Sequence, residues 1–252
     1  ILLKYNLIAR PDDIVRNQRY IPLLRERGLT CVEVGIESGS KDILKRFSKS
    51  LSVETNREAI EILHKAGIYI ILDYIMFEPD MKIKDFRKNI NFIKDLGIIP
   101  FKNGRFGPRD LLERIVLHPG TAYFEKMLKE KRLMGRKFRP QWEFKDRDMK
   151  KAHRFILRCI DMFRYKIQGV RRLRRIKLKE LNLSRGGKNS YQQQLRRGVL
   201  RYAAYELDRI YLELLDKTLT AGKQFNFSKR GLLKVAMVVE KRLNEIKERI
   251  AS

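Results

Sequence analysis

Residues 31–36 alternate. Val32, Val34 and Ile36 share one parity, while Glu33, Gly35 and Glu37 share the other. Alternate side chains of a strand point to opposite faces, so the stretch predicts a strand with one β-branched apolar face and one face carrying two carboxylates around a glycine. The same alternation also suits an ordinary edge strand with a wet face. Glu37-Ser38-Gly39-Ser40 breaks the pattern, and a helix is expected over 41–47. Upstream, residues 3–10 alternate too, ending at Arg10. Pro11-Asp12-Asp13 is a turn with capping chemistry, followed by a predicted helix over 14–27 that stops at Gly28. Ser52 and Thr55 signal another helix start, and residues 56–65 complete it before Gly67. Residues 68–77 are almost continuously apolar, the pattern of a strand buried on both faces. Asp73 interrupts that run and needs a partner or a function. An amphipathic helix over 83–96 follows, closed by Gly97.

Strand and helix thus alternate three times in under a hundred residues, which predicts βαβ units and a parallel sheet. Residues 98–101 and 114–117 are further strand candidates, separated by a Gly/Pro-rich loop over 102–110. His118-Pro119-Gly120-Thr121 launches a helix over 122–133. After Gly135 the pattern changes. Residues 137–146 read as an irregular connector containing Trp142 and Phe144, and from Asp148 the spacing is that of long helices broken at 184–190 and 222–228. The expected organisation is an α/β region over 1–146 and an α-helical region over 147–252.

Composition sharpens this picture. The formal net charge is +27, and about +21 of it lies in residues 132–252. A field of that sign attracts polyanions, so the helical tail is a candidate nucleic-acid contact; solvated helix faces are the alternative. Cys31 and Cys159 are the only cysteines, too far apart in sequence for a C-x-x-C metal site or a disulfide framework. They suit free thiols in a reducing cytoplasm. His64, His118 and His153 are too scattered to suggest a metal cluster. No apolar run reaches membrane-spanning length. The first residue is Ile1 rather than Met, and the expectation is a fragment whose upstream part is absent.

Parity also organises the charges. In a parallel barrel the inward-facing positions can be polar near the C-terminal ends of the strands. The first strand ends at Arg10, the second at Glu37 with Glu33 deeper on the same face, and the third contains Asp73 and ends at Glu78. If the strands are parallel neighbours, Arg10, Glu37 and Glu78 converge at one rim, where a small molecule bearing amine, carboxylate and ribose groups finds partners. Internal pairing, for instance of Arg10 with Glu33, is the alternative.

These residues resemble a known family. Gly35-Ile36-Glu37-Ser38-Gly39-Ser40, with Leu44 and Lys49 behind it, looks like the fourth strand and following turn of radical S-adenosylmethionine enzymes, closest to the cobalamin-binding group. The order of the context agrees. A strand ending at Arg10 precedes it; the helix AIEILHKAGI, the strand containing IMFEPDM, a helix ending NINFIKDLG and the segment HPGTAYFEKMLKEKRL follow. The resemblance covers residues 1–146 and implies the C-terminal part of a partial (β/α)6 TIM-like barrel followed by a basic α-helical tail. It further implies a 4Fe-4S cluster, S-adenosylmethionine and, in the cobalamin-binding group, a cobalamin domain. Reductive cleavage in that family yields a 5′-deoxyadenosyl radical that abstracts hydrogen from a small-molecule substrate, in some members leading to methylation. The family's C-x-x-x-C-x-x-C loop is absent from this chain, so the cluster ligands are expected outside it and the chain alone is expected to be inactive. Carried over position by position, the resemblance assigns Glu37 to the amino or ribose groups of S-adenosylmethionine and Ser38 to a neighbouring hydrogen bond. Lys49 is assigned to the carboxylate, and Arg10 to that carboxylate or the substrate. The family's Gly-x-Pro at the next strand end is Phe77-Glu78-Pro79 here. The competing expectations are a cluster-less basic protein that binds RNA or an acidic partner, and an RNA-modifying radical enzyme whose tail recruits its substrate.

Overall fold

The computed structural model describes residues 3–47, 51–96, 104–105, 112–136, 139–183, 195–196, 198–200, 202–203, 206–207, 209–210, 213, 216 and 229–251. The chain divides into two compact units, Ile1–Lys150 and Lys151–Ser252.

The first unit is built on a four-stranded parallel sheet in the order β1-β2-β3-β4. The strands are β1 (Tyr5–Ala9), β2 (Leu29–Glu37), β3 (Tyr69–Tyr74) and β4 (Gly104–Arg105). Between them run α1 (Pro11–Arg16), α2 (Ile21–Glu26), α3 (Lys41–Arg46), α4 (Val53–Lys65) and α5 (Ile83–Leu96). Sequential parallel order requires a crossover between each pair of neighbours, and these helices supply it. Val32, Val34 and Ile36 of β2 are buried, as their parity predicts, and so are Ile70, Leu72 and Tyr74 of β3. Ala59, Ile60 and Leu63 of α4 and Phe86, Ile90 and Ile93 of α5 complete the same core. Tyr74 stacks on Phe92, and Phe77 on Phe86, which places α5 over the apolar face of β3.

Several expectations are corrected. The helix expected over 14–27 is interrupted: α1 ends at Arg16, Gln18–Tyr20 form a 3-10 turn, and α2 begins at Ile21. Pro22 lies in the first turn of α2, where its missing N–H is harmless; inside one continuous helix its ring would meet the Gln18 carbonyl. The apolar run 68–77 is not a strand buried on both faces. Tyr69 is 39% exposed and Asp73 is exposed, while Ile70, Leu72 and Tyr74 are buried. The expected strand at 114–117 is reduced to a single parallel bridge between Phe77 and Arg114, and the candidate at 98–101 lies outside the described residues.

After α6 (Ala122–Lys129) the chain turns left-handed at Lys131 (φ 54°), so that helix is shorter than expected. The expected connector instead contains an antiparallel pair, β5 (Leu133–Arg136) with β6 (Arg139–Trp142). Trp142 fixes it to the unit by donating Nε1–H to the Ile115 carbonyl at 2.9 Å.

The second unit takes most of α7 (Arg147–Leu183), and α8 (Lys229–Ala251) lies wholly within it. Between these two, residues 195–216 are helical wherever they are described. Phe155, Ile156, Cys159, Ile160, Phe163, Ile167 and Val170 of α7 are buried at helical spacing.

One close approach fixes how α5 meets the end of β2. A Cβ placed on Gly39 would lie 2.2 Å from the Phe92 Cβ, so only glycine fits. Gly39→Ala forces α5 away from the β2 turn and is expected to lower unfolding free energy by about 1–3 kcal/mol, the usual range for overpacking. Urea denaturation followed by circular dichroism measures it, and a midpoint equal to that of the unsubstituted protein would refute the account.

Candidate functional site

The face of the sheet opposite the core is open. Register sets its rows: Asn6, Cys31 and Tyr69 lie level, as do Ile8, Glu33 and Ile71, and Gly35 lies level with Asp73. Arg10 has an extended backbone (φ −84°, ψ 146°), which continues β1 to the level of Gly35. Ile8 is 81% exposed. Glu33 is half-buried, and its side chain has no hydrogen bond or ion pair among the described residues. Burial, with a smaller push from the Glu33 charge, raises the Cys31 thiol above its ordinary pKa.

At the top of this face sits Glu37, with φ +63°. Ser38 N–H donates to the Ile36 carbonyl at 2.7 Å, closing a γ-turn around Glu37 of the rare, strained hand. The surroundings hold it there. Asn56 Nδ2 donates to the carbonyls of Ile36 and Ser38 at 2.9 and 3.3 Å, and Ile75 N–H donates to that of Glu37 at 2.8 Å. The register also slips between Gly35 and Glu37. A strained non-glycine residue persists only where its neighbours over-determine it, and such residues cluster at functional sites. The Glu37 carboxylate folds back over the open face: a Cβ on Gly35 would lie 3.6 Å from Glu37 Oε1. Arg10, Gly35 and Asp73 therefore share one level beneath that carboxylate.

Of the residues singled out from the sequence, Arg10 reaches this level and forks onto its neighbour Asp12, with bonds of 3.0 and 3.1 Å. That hydrogen bond and the Asp12 charge raise the Arg10 pKa, and Glu37 adds a smaller attraction across the rim. Ser38 is buried beneath the turn. Its hydroxyl donates to Asn89 Oδ1 at 2.7 Å and accepts from Ser40 N–H at 3.0 Å. Gly39 N–H reaches both the Tyr74 hydroxyl and Asn89 Oδ1 at 2.9 Å. Lys49 lies outside the described residues.

Glu78 departs from the expected convergence with Arg10 and Glu37. It is fully buried and bonded to Arg46 Nη2 at 2.5 Å, to the Tyr123 hydroxyl and to the Asp80 N–H at 2.8 Å. The reason is the chain's turn after β3, which delivers Glu78 to the helices α3 and α6 rather than to the open face. Asp80 extends the cluster with bonds of 2.5 Å to Lys126 and to Arg132. Asp85 lies 3.6 Å from Arg46 and accepts from the Ser40 hydroxyl at 3.1 Å. Burial pushes the Tyr123 hydroxyl far above its ordinary pKa, and the Glu78 charge pushes the same way.

Asn56, Asn89, Tyr74, Arg46 and Tyr123 were not singled out from the sequence. A signal existed for the two asparagines. Asn56 shares a helical stripe with Ala59, Ile60 and Leu63, and Asn89 shares one with Phe86, Ile90 and Ile93. A polar residue on a buried stripe must bond to something fixed.

The described residues contain no group of three or more His, Cys, Asp or Glu able to hold a metal ion, and no helix long and apolar enough to cross a membrane.

No protein-family model matches the chain. Its curated relatives include the 4'-phospho-dehydrooxetanocin synthase of Priestia megaterium, 28% identical over 103 residues, covering 36% of this chain and 14% of that protein. The anaerobic magnesium-protoporphyrin IX monomethyl ester cyclase of Rubrivivax gelatinosus is 31% identical over 72 residues, 29% of this chain and 13% of the relative. The tRNA-2-methylthio-N(6)-dimethylallyladenosine synthase of Buchnera aphidicola is 33% identical over 93 residues, 36% and 20% respectively. The chain thus spans a fifth or less of these relatives.

In fold it is similar to part of a cobalamin-dependent S-adenosylmethionine radical enzyme. That enzyme is OxsB. Its form with aqua-cobalamin bound matches with TM-score 0.60 at 16% identity, over 100% of this chain and 42% of OxsB. The form with aqua-cobalamin and S-adenosylmethionine bound gives 0.64 at 16% identity, over 98% and 43%. The chain therefore resembles these three enzymes in sequence, and part of a cobalamin-dependent S-adenosylmethionine radical enzyme in fold.

The charge cluster makes a prediction about acid. Burial raises the Asp80 pKa, but the hydrogen bonds from Lys126 and Arg132 outweigh it and hold the carboxylate below its ordinary value. A depressed folded-state pKa stabilises fully above the unfolded value near ~4 and loses that stabilisation as pH falls through the lower folded value. Asp80→Asn should therefore be less stable than the unsubstituted protein at pH 7, and the gap should narrow by on the order of 1 kcal/mol between pH 5 and pH 2. Denaturation midpoints across that range test it; a constant gap contradicts it.

Proposed function

We propose that this chain forms one wall of the cofactor site of a radical S-adenosylmethionine enzyme, as part of a partial (β/α)6 barrel whose inner surface is the open face of β1, β2 and β3. The observation that carries the reading is the strained turn at Glu37, which holds a carboxylate over the end of a parallel strand, where such sheets bind ligands.

The residues fit S-adenosylmethionine. Its amine and sulfonium are cationic, and the face presents Glu33, Glu37 and Asp73. In this reading Glu37 accepts hydrogen bonds from the amino group or the ribose hydroxyls. Arg10 pairs with the cofactor's carboxylate or with substrate, and Lys49 is the second candidate for that carboxylate. Ser38 is a positioning residue, fixing the turn through Asn89. Gly35 leaves room beneath the Glu37 carboxylate.

A 4Fe-4S cluster needs more thiolates than Cys31 and Cys159 supply. Cluster ligands are therefore assigned to polypeptide other than this chain, as is any cobalamin site. When bound and reductively cleaved, S-adenosylmethionine supplies radical hydrogen abstraction, with methylation as one outcome in the cobalamin-dependent case. This chain's contribution is to orient the cofactor and a small-molecule substrate over the β1–β3 face. The free thiols Cys31 and Cys159 suit a reducing cytoplasm.

Loss of a charge-assisted hydrogen bond is worth about 1.5–3 kcal/mol, or roughly 10- to 150-fold in affinity. Glu37→Ala in the full-length protein should weaken S-adenosylmethionine binding by at least tenfold in equilibrium dialysis while leaving the far-ultraviolet circular dichroism unchanged. Affinity within twofold of the unsubstituted protein would reject the assignment.

A further inference from the structure

The charge of α7 is concentrated. Residues 164–179 hold eight lysines and arginines and no acid. Part of that charge is used internally: Lys166 pairs with Glu240 of α8, Lys177 lies 3.1 Å from Glu180, and Arg174 Nη1 donates to the Leu200 carbonyl at 3.4 Å. Arg172, Arg175 and Lys179 are exposed and have no ion pair among the described residues. Steps of three and four residues put them on one stripe of the helix with Tyr165 and Gln168. From Tyr165 to Lys179 the stripe is about 21 Å long.

Two features on this stripe or beside it are not explained by solubility. Tyr165 is 79% exposed, a large aromatic ring offered to solvent. Gly169, one turn further on, sits in the helix interior, where glycine is destabilising relative to alanine. A Cβ there would meet nothing within 4 Å, so no internal packing requires the glycine. The result is an aromatic platform, a smooth patch beside it, and then a row of cations.

We propose that this face binds single-stranded RNA. A base stacks on Tyr165, the strand passes close to the helix at Gly169, and Arg172, Arg175 and Lys179 take successive phosphates. Gln168 offers both a donor and an acceptor to a 2′-hydroxyl. Stacking on an aromatic side chain needs an unstacked base, which favours a single strand over a duplex. A membrane surface fits less well, because an interfacial helix must insert its apolar face, and Phe155, Ile156, Phe163 and Ile167 of α7 are already buried. The inference is independent of the cofactor reading.

The test is fluorescence anisotropy of a labelled mixed-sequence 15-nucleotide RNA with the full-length protein between 50 and 200 mM salt. Arg172→Glu with Arg175→Glu should weaken binding at least tenfold and reduce the slope of log affinity against log salt by about 1.4, the value for two single-strand phosphate contacts. Tyr165→Ala should weaken binding at least fivefold and leave that slope unchanged. The equal charge reversal Arg16→Glu with Lys65→Glu, in the first unit, should change affinity less than twofold. The proposal is overturned if the unsubstituted protein does not bind, if the two double reversals act alike, or if Tyr165→Ala is silent. Equal affinity for the matching DNA overturns the choice of RNA. Full displacement by polyglutamate reassigns the face to an acidic protein, and preferential binding to phosphatidylserine vesicles reassigns it to a lipid surface.

Discussion

The first unit depends on how β2 ends. Its last residue must reverse direction while α5 lies directly against the turn, and Gly39 meeting Phe92 leaves no room for a side chain. Once that contact is made, the backbone polar groups of the turn are shut away from water and must be satisfied from elsewhere in the chain. Asn56, Tyr74 and Asn89 do so, from α4, β3 and α5. The apolar packing thus brings in three helix and strand side chains, and those side chains fix a backbone angle at Glu37 that no isolated peptide would hold.

A second polar cluster lies away from the open face and has a different character. Arg46, Lys126 and Arg132 are set against Glu78, Asp80, Asp85 and Glu130, so the acids of the cluster outnumber its bases by one. Buried ion pairs add little net stability, because desolvation cancels much of the attraction, but removing one partner leaves a charge stranded. The effect is geometric: the cluster ties α3 and α6 to the segment after β3 and accounts for Glu78 having no place beside Arg10.

Much of the sheet was legible because strand parity is a local property. Val32, Val34 and Ile36 showed the buried face of β2, and Ser52 announced the start of α4, where its hydroxyl accepts from Thr55 N–H. Glu37 was legible as a site candidate by the same parity. What the sequence hid depended on distant partners. Ser38 was assigned a neighbouring hydrogen bond at the cofactor, and the partner its hydroxyl has here, Asn89, lies 51 residues away. The continuous apolar run over 68–77 concealed an open face, since Tyr69 and Ile71 are as hydrophobic as the residues they alternate with. The β5–β6 pair was missed because its four-residue strands carry Gly135 and Pro140, residues that weaken any strand pattern.

The turn at Glu37 sets backbone ease against a retained carboxylate at a single position. Glycine adopts a left-handed backbone without penalty, so a screen that scored only heat resistance would favour Glu37→Gly. It would also delete the carboxylate that the whole arrangement holds over the sheet. Retaining glutamate there means the protein carries a standing conformational debt at the head of β2, and selection for robustness alone would erase the carboxylate held over the open face.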